Sequence, residues 1–182
     1  MTDEPAKTLA DGSQPATPEA LLTRLSHLEI TQKTLRHQAV FTVEEAKTLR
    51  ANLPGGHTKN LFLRNKKGAM WLVTCLEDRQ IDLKVLGEKL AAGRFSFGSA
   101  ARLMQFLGVT PGAVTPFAVI NDKARQVTQV LDKGLFDHQL LNFHPLDNCQ
   151  TTAITAEDLL TFLAAENHAP IILDLAAMEN PA

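Results

Sequence analysis

Three short segments hold the residue types that could do chemistry. Thr58-Lys59-Asn60 follows a Pro-Gly-Gly turn and opens a strand-like run. Gly112-Ala113-Val114-Thr115-Pro116-Phe117 is a glycine-led loop running into an apolar stretch. Asn142-Phe143-His144-Pro145-Leu146-Asp147-Asn148 sets an imidazole and two amides around a proline. The ammonium of Lys59 has no lone pair near neutral pH, so it is a poor base unless desolvated and a good point charge for a phosphate. A glycine lets backbone N–H and C=O groups come close to a ligand. Each segment also has a plain structural reading. A lysine on a strand can guard an edge as a solvated charge, Gly before Thr-Pro can be a turn, and His before Pro is held extended whatever its role. Taken singly, none of the three decides between these readings.

Other motifs are missing from the chain. It has no G-x-x-x-x-G-K-S/T loop, no G-x-G-x-x-G after a strand and no G-x-S-x-G elbow. None of the six histidines has zinc-site spacing with cysteines or carboxylates, so no metal or cofactor is expected. Cys75 and Cys149 are too few for a disulfide framework and read as buried small apolar residues. Neither has a visible partner base to make it a nucleophile. A formal net charge of -2 disfavours a protein that grips duplex DNA through many phosphates. It leaves room for an RNA end held by a few local cations. No apolar run reaches the length of a membrane span, and the N-terminus lacks the basic-then-apolar order of a signal peptide. A cytoplasmic location without membrane contact is the expectation.

The elements that must position these segments alternate along 182 residues, the length of one domain. Residues 1–16, rich in Pro, Gly, Ser and charge, read as a disordered leader. The folded domain is expected over 17–176, with a tail at 177–182. Thr17-Pro18 starts a helix with Leu21, Leu22, Leu25 and Leu28 on one stripe. A weak strand over 32–40 precedes a helix from Thr42 to Leu53, opened by a Thr42/Glu45 capping box. Lys59–Arg64 and Ala69–Leu76 form a hairpin about Asn65-Lys66-Lys67-Gly68. Asp82 caps a helix to about Ala92, and a second runs from Ser99 to Leu107 and stops at Gly108. Strands are expected at Phe117–Ile120, Val127–Leu131, Leu140–Phe143, Thr151–Ile154 and Pro170–Leu175, with a helix from Thr155 to Glu166. Strands joined both by helices and by tight turns predict a mixed α+β sheet.

Together, K-N-L-F-L-R, G-A-V-T-P-F and N-F-H-P-L-D-N, in this order and spacing, resemble the YbaK/prolyl-tRNA-synthetase-associated domain superfamily. Within it they are most similar to the stand-alone alanyl-tRNA(Pro) deacylases of the ProX or PrdX group. F-T-V-E-E-A at 41–46 fits too, and the resemblance runs from Pro18 to Leu175. It implies a curved, barrel-like, mixed sheet flanked by helices, and hydrolysis of the ester joining a wrong amino acid to the 3'-terminal adenosine of tRNA. No cofactor is implied. The implied catalytic residues are Lys59, Gly112 and His144. Asn60, Thr115, Pro116, Phe117 and Asn148 are implied to bind substrate or shape the loops. Lys59 would hold the terminal phosphate or ribose region, with Asn60 orienting it or touching the substrate. The Gly112–Pro116 loop would hold the carbonyl oxygen and the water. His144 would line the amino-acid pocket, with a general-base role as the alternative. Phe62, Phe117 and Phe143 are candidates to pack the alanine methyl. His57 can neighbour the RNA end or be a solvated turn residue, and His27, His37, His138 and His168 read as structural or surface residues.

The partner so implied is mischarged tRNA(Pro), and a complex with prolyl-tRNA synthetase stays open. Because alanine is smaller than proline, a synthetase cannot exclude it sterically; a second site too small for proline can remove it, which is double-sieve editing. The competing readings are a deacylase for Cys-tRNA(Pro) or another small amino acid, and a non-catalytic module that binds the tRNA end.

Overall fold

A computed structural model of the chain describes residues 7–39 and 43–178. In chain order the elements are α1 (Pro18–His27), β1 (Lys33–Arg36), α2 (Val43–Ala51), β2 (Gly56–Arg64), β3 (Met70–Leu76), α3 (Leu83–Lys89), β4 (Ser96–Phe97), α4 (Ala100–Leu107), β5 (Val127–Asp132), β6 (Leu141–Phe143), β7 (Gln150–Ile154), α5 (Ala156–Ala165) and β8 (Ile171–Leu173). Three 3-10 turns, Pro116–Asn121, Lys133–Asp137 and Ala176–Met178, link or follow them.

The strands form one mixed sheet in the order β1-β7-β6-β2-β3-β5-β8, with β4 added to the end of β2. The β2/β3, β2/β4, β6/β7 and β1/β7 pairs are antiparallel, and β2/β6, β3/β5 and β5/β8 are parallel. The mixed sheet flanked by helices is as expected, and it is open rather than closed, since β1 and β8 lie at opposite ends of the order. β3 (MWLVTCL) reads as a continuous apolar run because both its faces are covered. One core holds Phe62, Leu72, Phe117, Phe143 and Phe162 under α1, α4 and α5; the other holds Leu63, Trp71, Val73 and Cys75 under α3.

Helix starts follow the side chains that cap them. Thr17, Asp82, Ser99 and Thr155 each accept hydrogen bonds from first-turn N–H groups, and Gly108 ends α4 in the left-handed region at φ 64°. α3 ends at Lys89, short of the expected Ala92. The expected cap Thr42 and the neighbouring Phe41 fall outside the described residues.

The expected strand at Phe117–Ile120 is instead a 3-10 turn over Pro116–Asn121. Thr115 Oγ1 accepts from the Phe117 N–H at 3.4 Å, and Pro116 supplies the fixed φ of a first helical position. Phe117, Ala118 and Val119 are consecutive and all buried, a pattern that a strand with one wet face would not allow.

Of the expected leader, residues 7–16 lie along the domain. The Ala10 N–H donates to Gln105 O at 2.8 Å, and the Ala16 N–H donates to Asn121 Oδ1 at 2.8 Å. Cys149 is exposed rather than buried, whereas Cys75 is buried as expected. No helix of the described residues is long and apolar enough to cross a membrane.

Candidate active site

β2 is longer than its neighbours and changes partners along its length. Its first residues pair in parallel with β6 (Gly56 with Leu141, His57 with Asn142), while Thr58–Arg64 pair with β3. A cavity of about 120 Å³ opens where these pairings meet. Thr58, Asn60, Asn142, His144 and Thr151 form its polar wall, and Leu49, Leu53 and Phe143 its apolar one; His57 and Glu77 complete the lining.

His144 enters this wall because it follows β6 and precedes Pro145, which keeps its backbone extended. Its Nδ1 lies 3.0 Å from Gln150 O. A carbonyl only accepts, so in the neutral ring Nδ1 carries the proton and Nε2 keeps its lone pair. Burial pushes the His144 pKa below its ordinary value, favouring that neutral form. The loop beyond it is tied by Asp147, whose carboxylate accepts from the Cys149 N–H and from Gln150 Nε2, each at 3.0 Å. Leu146 holds a φ of 71° in that loop, a conformation a leucine keeps only where its surroundings enforce it. His37 reaches the same wall through Thr151, with Nε2 2.9 Å from Thr151 Oγ1.

The alternation of β2 sorts the Thr-Lys-Asn segment onto two faces. Thr58 Oγ1 donates to Asn142 O at 2.8 Å and Asn60 Nδ2 donates to Val114 O at 3.0 Å, both on the cavity side. Lys59 takes the opposite face, opposite Cys75, where its ammonium donates to Arg79 O. The Arg79 turn is held in its turn by Asp132, fully buried, at 3.0 Å from Arg79 Nε. The Cys75 thiol beside Lys59 is pushed up to about 11 by burial, so it stays protonated and is no nucleophile at neutral pH.

Asn60, His144 and the Gly112 loop are therefore drawn to one region. Gly112, at φ 91°, faces Asn148: a side chain on Gly112 would meet Asn148 Nδ2 at 3.8 Å. Thr115, Pro116 and Phe117 do not reach the cavity; all three are buried beneath the loop. Of the three phenylalanines proposed for the pocket, only Phe143 lines it. Phe62 packs under Gly98, and Phe117 stacks edge-on against Phe143 and Phe162 at 5.6 and 5.3 Å.

Thr58 and Asn142 are lining residues that belong to the first and third segments but carry no role in the motif reading, while Thr151, Glu77, Leu49 and Leu53 lie outside all three. Thr58 had a signal in the sequence, since period-two alternation puts it on the face of Asn60. Asn142 opens the third segment; its Nδ2 donates to Pro54 O at 3.0 Å and its buried Oδ1 lacks a partner among the described residues. Among those residues no three histidines, cysteines or carboxylates cluster as a metal site would require.

The chain is 41% identical to a prolyl-tRNA synthetase associated domain-containing protein of Bos taurus, over 85% of this chain and 93% of that one. It is 36% identical to the prolyl-tRNA editing protein ProX of Acetoanaerobium sticklandii, over 82% of this chain and 92% of that one. Its fold matches the crystal structure of a candidate trans-editing enzyme for prolyl tRNA synthetase with a TM-score of 0.66 at 16% identity, covering 87% of this chain and 96% of that one. Residues 37–162, which include the cavity wall and all three segments that first suggested chemistry, match the family described as Aminoacyl-tRNA editing domain, and the chain belongs to that family.

Proposed function

We propose that the chain hydrolyses alanine from mischarged tRNA(Pro) in trans, acting as a free-standing deacylase. The observation that carries this reading is the cavity. At about 120 Å³ it is below the size of sites for drug-sized ligands, and it suits a small aminoacyl group. Its apolar wall of Leu49, Leu53 and Phe143 suits a methyl group, and the neutral His144 offers an acceptor opposite. Rejection of the prolyl ring at this site would be the fine half of a double sieve.

The chemistry needed is modest because the substrate is an activated ester. Water adds to the carbonyl carbon, the bond to the ribose oxygen breaks, and that oxygen takes up a proton. Backbone groups of the Gly112–Thr115 loop hold the carbonyl oxygen and the water, which supplies charge stabilisation where it develops. The neighbouring ribose hydroxyl of the substrate can assist in place of a protein base. His144 Nε2 accepts from the α-amine or from the water. Lys59, on the face of β2 away from the cavity and anchored by the Arg79 carbonyl, suits a phosphate of the RNA end rather than the amino acid. The acceptor is tRNA(Pro); prolyl-tRNA synthetase is the source of the error and a natural neighbour.

The test is to follow ester loss from Ala-tRNA(Pro), Pro-tRNA(Pro) and Cys-tRNA(Pro) with the purified chain beside a Lys59→Ala variant. Loss of alanine alone, with KM raised in Lys59→Ala, is the expected result. Faster loss of cysteine would move the substrate and keep the chemistry. Spontaneous rates throughout would leave a tRNA-end binding module.

A further inference from the structure

Three side chains from adjacent strands form a one-way chain of hydrogen bonds ending on the glycine loop. Gln129 on β5 is 2% exposed and Thr74 on β3 is fully buried. Gln129 Nε2 donates to Leu72 O at 3.1 Å, to Val130 O at 3.2 Å and to Thr74 Oγ1 at 3.1 Å. Thr74 Oγ1 donates on to Asn60 Oδ1 at 2.7 Å, and Asn60 Nδ2 donates to Val114 O at 3.0 Å. The direction is forced from both ends. The Val114 carbonyl only accepts, so the Asn60 amide must turn its nitrogen to it and its oxygen to Thr74. The backbone carbonyls around Gln129 only accept, so its nitrogen faces Thr74 and the Thr74 proton must go to Asn60.

This arrangement leaves the Gln129 Oε1 buried and without a partner among the described residues. An unpaired buried acceptor costs stability, and an apolar side chain at 129 would avoid that cost. What Gln129 supplies instead is orientation. We propose that Gln129 and Thr74 are positioning residues: they lock the Asn60 amide so that it pins the Val114 carbonyl, and with it the Gly112–Thr115 backbone, beside the cavity. The Asn60 side chain is then committed to the loop, and its contribution to catalysis runs through the loop's placement. Misplacing catalytic backbone by a fraction of an ångström to one ångström slows chemistry far more than binding.

The role in catalysis rests on the deacylase reading above, so the experiment has one readout that does not need activity. Thr74→Val keeps the shape and removes the donor to Asn60; Thr74→Ser keeps the donor. Both are made in the full chain, with Ala-tRNA(Pro) as substrate and amide hydrogen exchange read residue by residue. In Thr74→Val, kcat is expected to fall about tenfold to a hundredfold with KM changed by less than about threefold. Exchange at Ala113, whose N–H donates to Thr110 O at 3.0 Å, should quicken while β2 and β3 stay protected. Thr74→Ser should restore both. Unchanged Ala113 exchange overturns the proposal whatever the activity. So does faster exchange spread over β2 and β3, which would mark a merely structural loss, and so does a loosened loop with wild-type kcat. If the wild-type chain itself proves inactive on all three esters, the deacylase reading fails and the exchange result alone decides whether Thr74 fixes the loop.

Discussion

A histidine that gives one ring nitrogen to a backbone carbonyl has a single nitrogen left for chemistry. In His144 that nitrogen is Nε2, and burial holds the ring neutral by lowering its pKa below 6.5. Activity that needs the lone pair should therefore be flat across neutral pH and fall only on an acid limb lying below pH 6.5. A kcat profile on Ala-tRNA(Pro) checks this; a limb above that value would mean that another group titrates. Substituting His144→Ala removes the acceptor and should lower kcat/KM by about tenfold to a thousandfold, the span of a single well-placed polar group. Cys75→Ala, by contrast, should leave kcat within about twofold, because a thiol with a pKa of about 11 supplies no nucleophile.

At the scale of elements, the loops matter through backbone shape. Gly112 sits at φ 91°, and a side chain there would make only an ordinary contact, its nearest neighbour, Asn148 Nδ2, being 3.8 Å away. Gly112→Ala therefore meets no clash, and its cost is backbone strain alone, about 1–2 kcal/mol. Gly87 in α3 is the contrasting case: its conformation is ordinary, but a side chain there would come within 2.1 Å of Gly93 O. Thermal melts should show Gly87→Ala as the more damaging of the two, while Gly112→Ala loses more activity per degree of Tm. The reverse order would mean that the Gly112 loop does not shape the site.

The same elements show what a linear sequence can and cannot carry. Caps are local, so Thr17, Asp82 and Thr155 announced their helices within three residues. The hairpin about Asn65–Gly68 was equally local. Phe117–Ile120 misled because an apolar run of four residues fits either a buried strand or a buried turn, and burial on all sides erases periodicity. Asn60 and Val114 are 54 positions apart, and Asn142 meets Thr58 across 84; nothing in either neighbourhood announces the partner. The motif resemblance named Lys59, Asn60 and His144 but gave them no faces. Strand alternation separates Lys59 from Asn60, and the β2/β6 parallel pairing then brings His144 to Asn60.

Over the whole molecule, a partly buried ionic cluster ties α1 and the segment after α5 to residues 122–127. Glu166, just after α5, accepts from Arg24 of α1 at 2.7 Å and from Lys123 at 2.8 Å. His168 lies 3.0 Å from Asp122, whose carboxylate also accepts from the N–H groups of Gln126 and Val127. Burial lowers the His168 pKa, but its bonds to Asp122 and to Glu166 O outweigh this, and the net shift is upward. Burial raises that of Asp122, yet His168 and the two backbone N–H groups bring it below its usual value. The signs then follow. The His168 contribution is complete below pH 6.5 and is lost as pH rises through its raised folded value; that of Asp122 is complete above 3.8 and is lost as pH falls. His144 titrates with the opposite sign and only below pH 6.5, so it cannot mask a loss on the alkaline side. Stability measured by Tm should therefore decline from pH 6.5 toward 8.5 in the wild-type chain. His168→Gln lowers Tm overall, but the informative quantity is the slope, which should flatten over that interval. Equal slopes in the two proteins would show that the His168–Asp122 pair is not the charge that links this fold to pH.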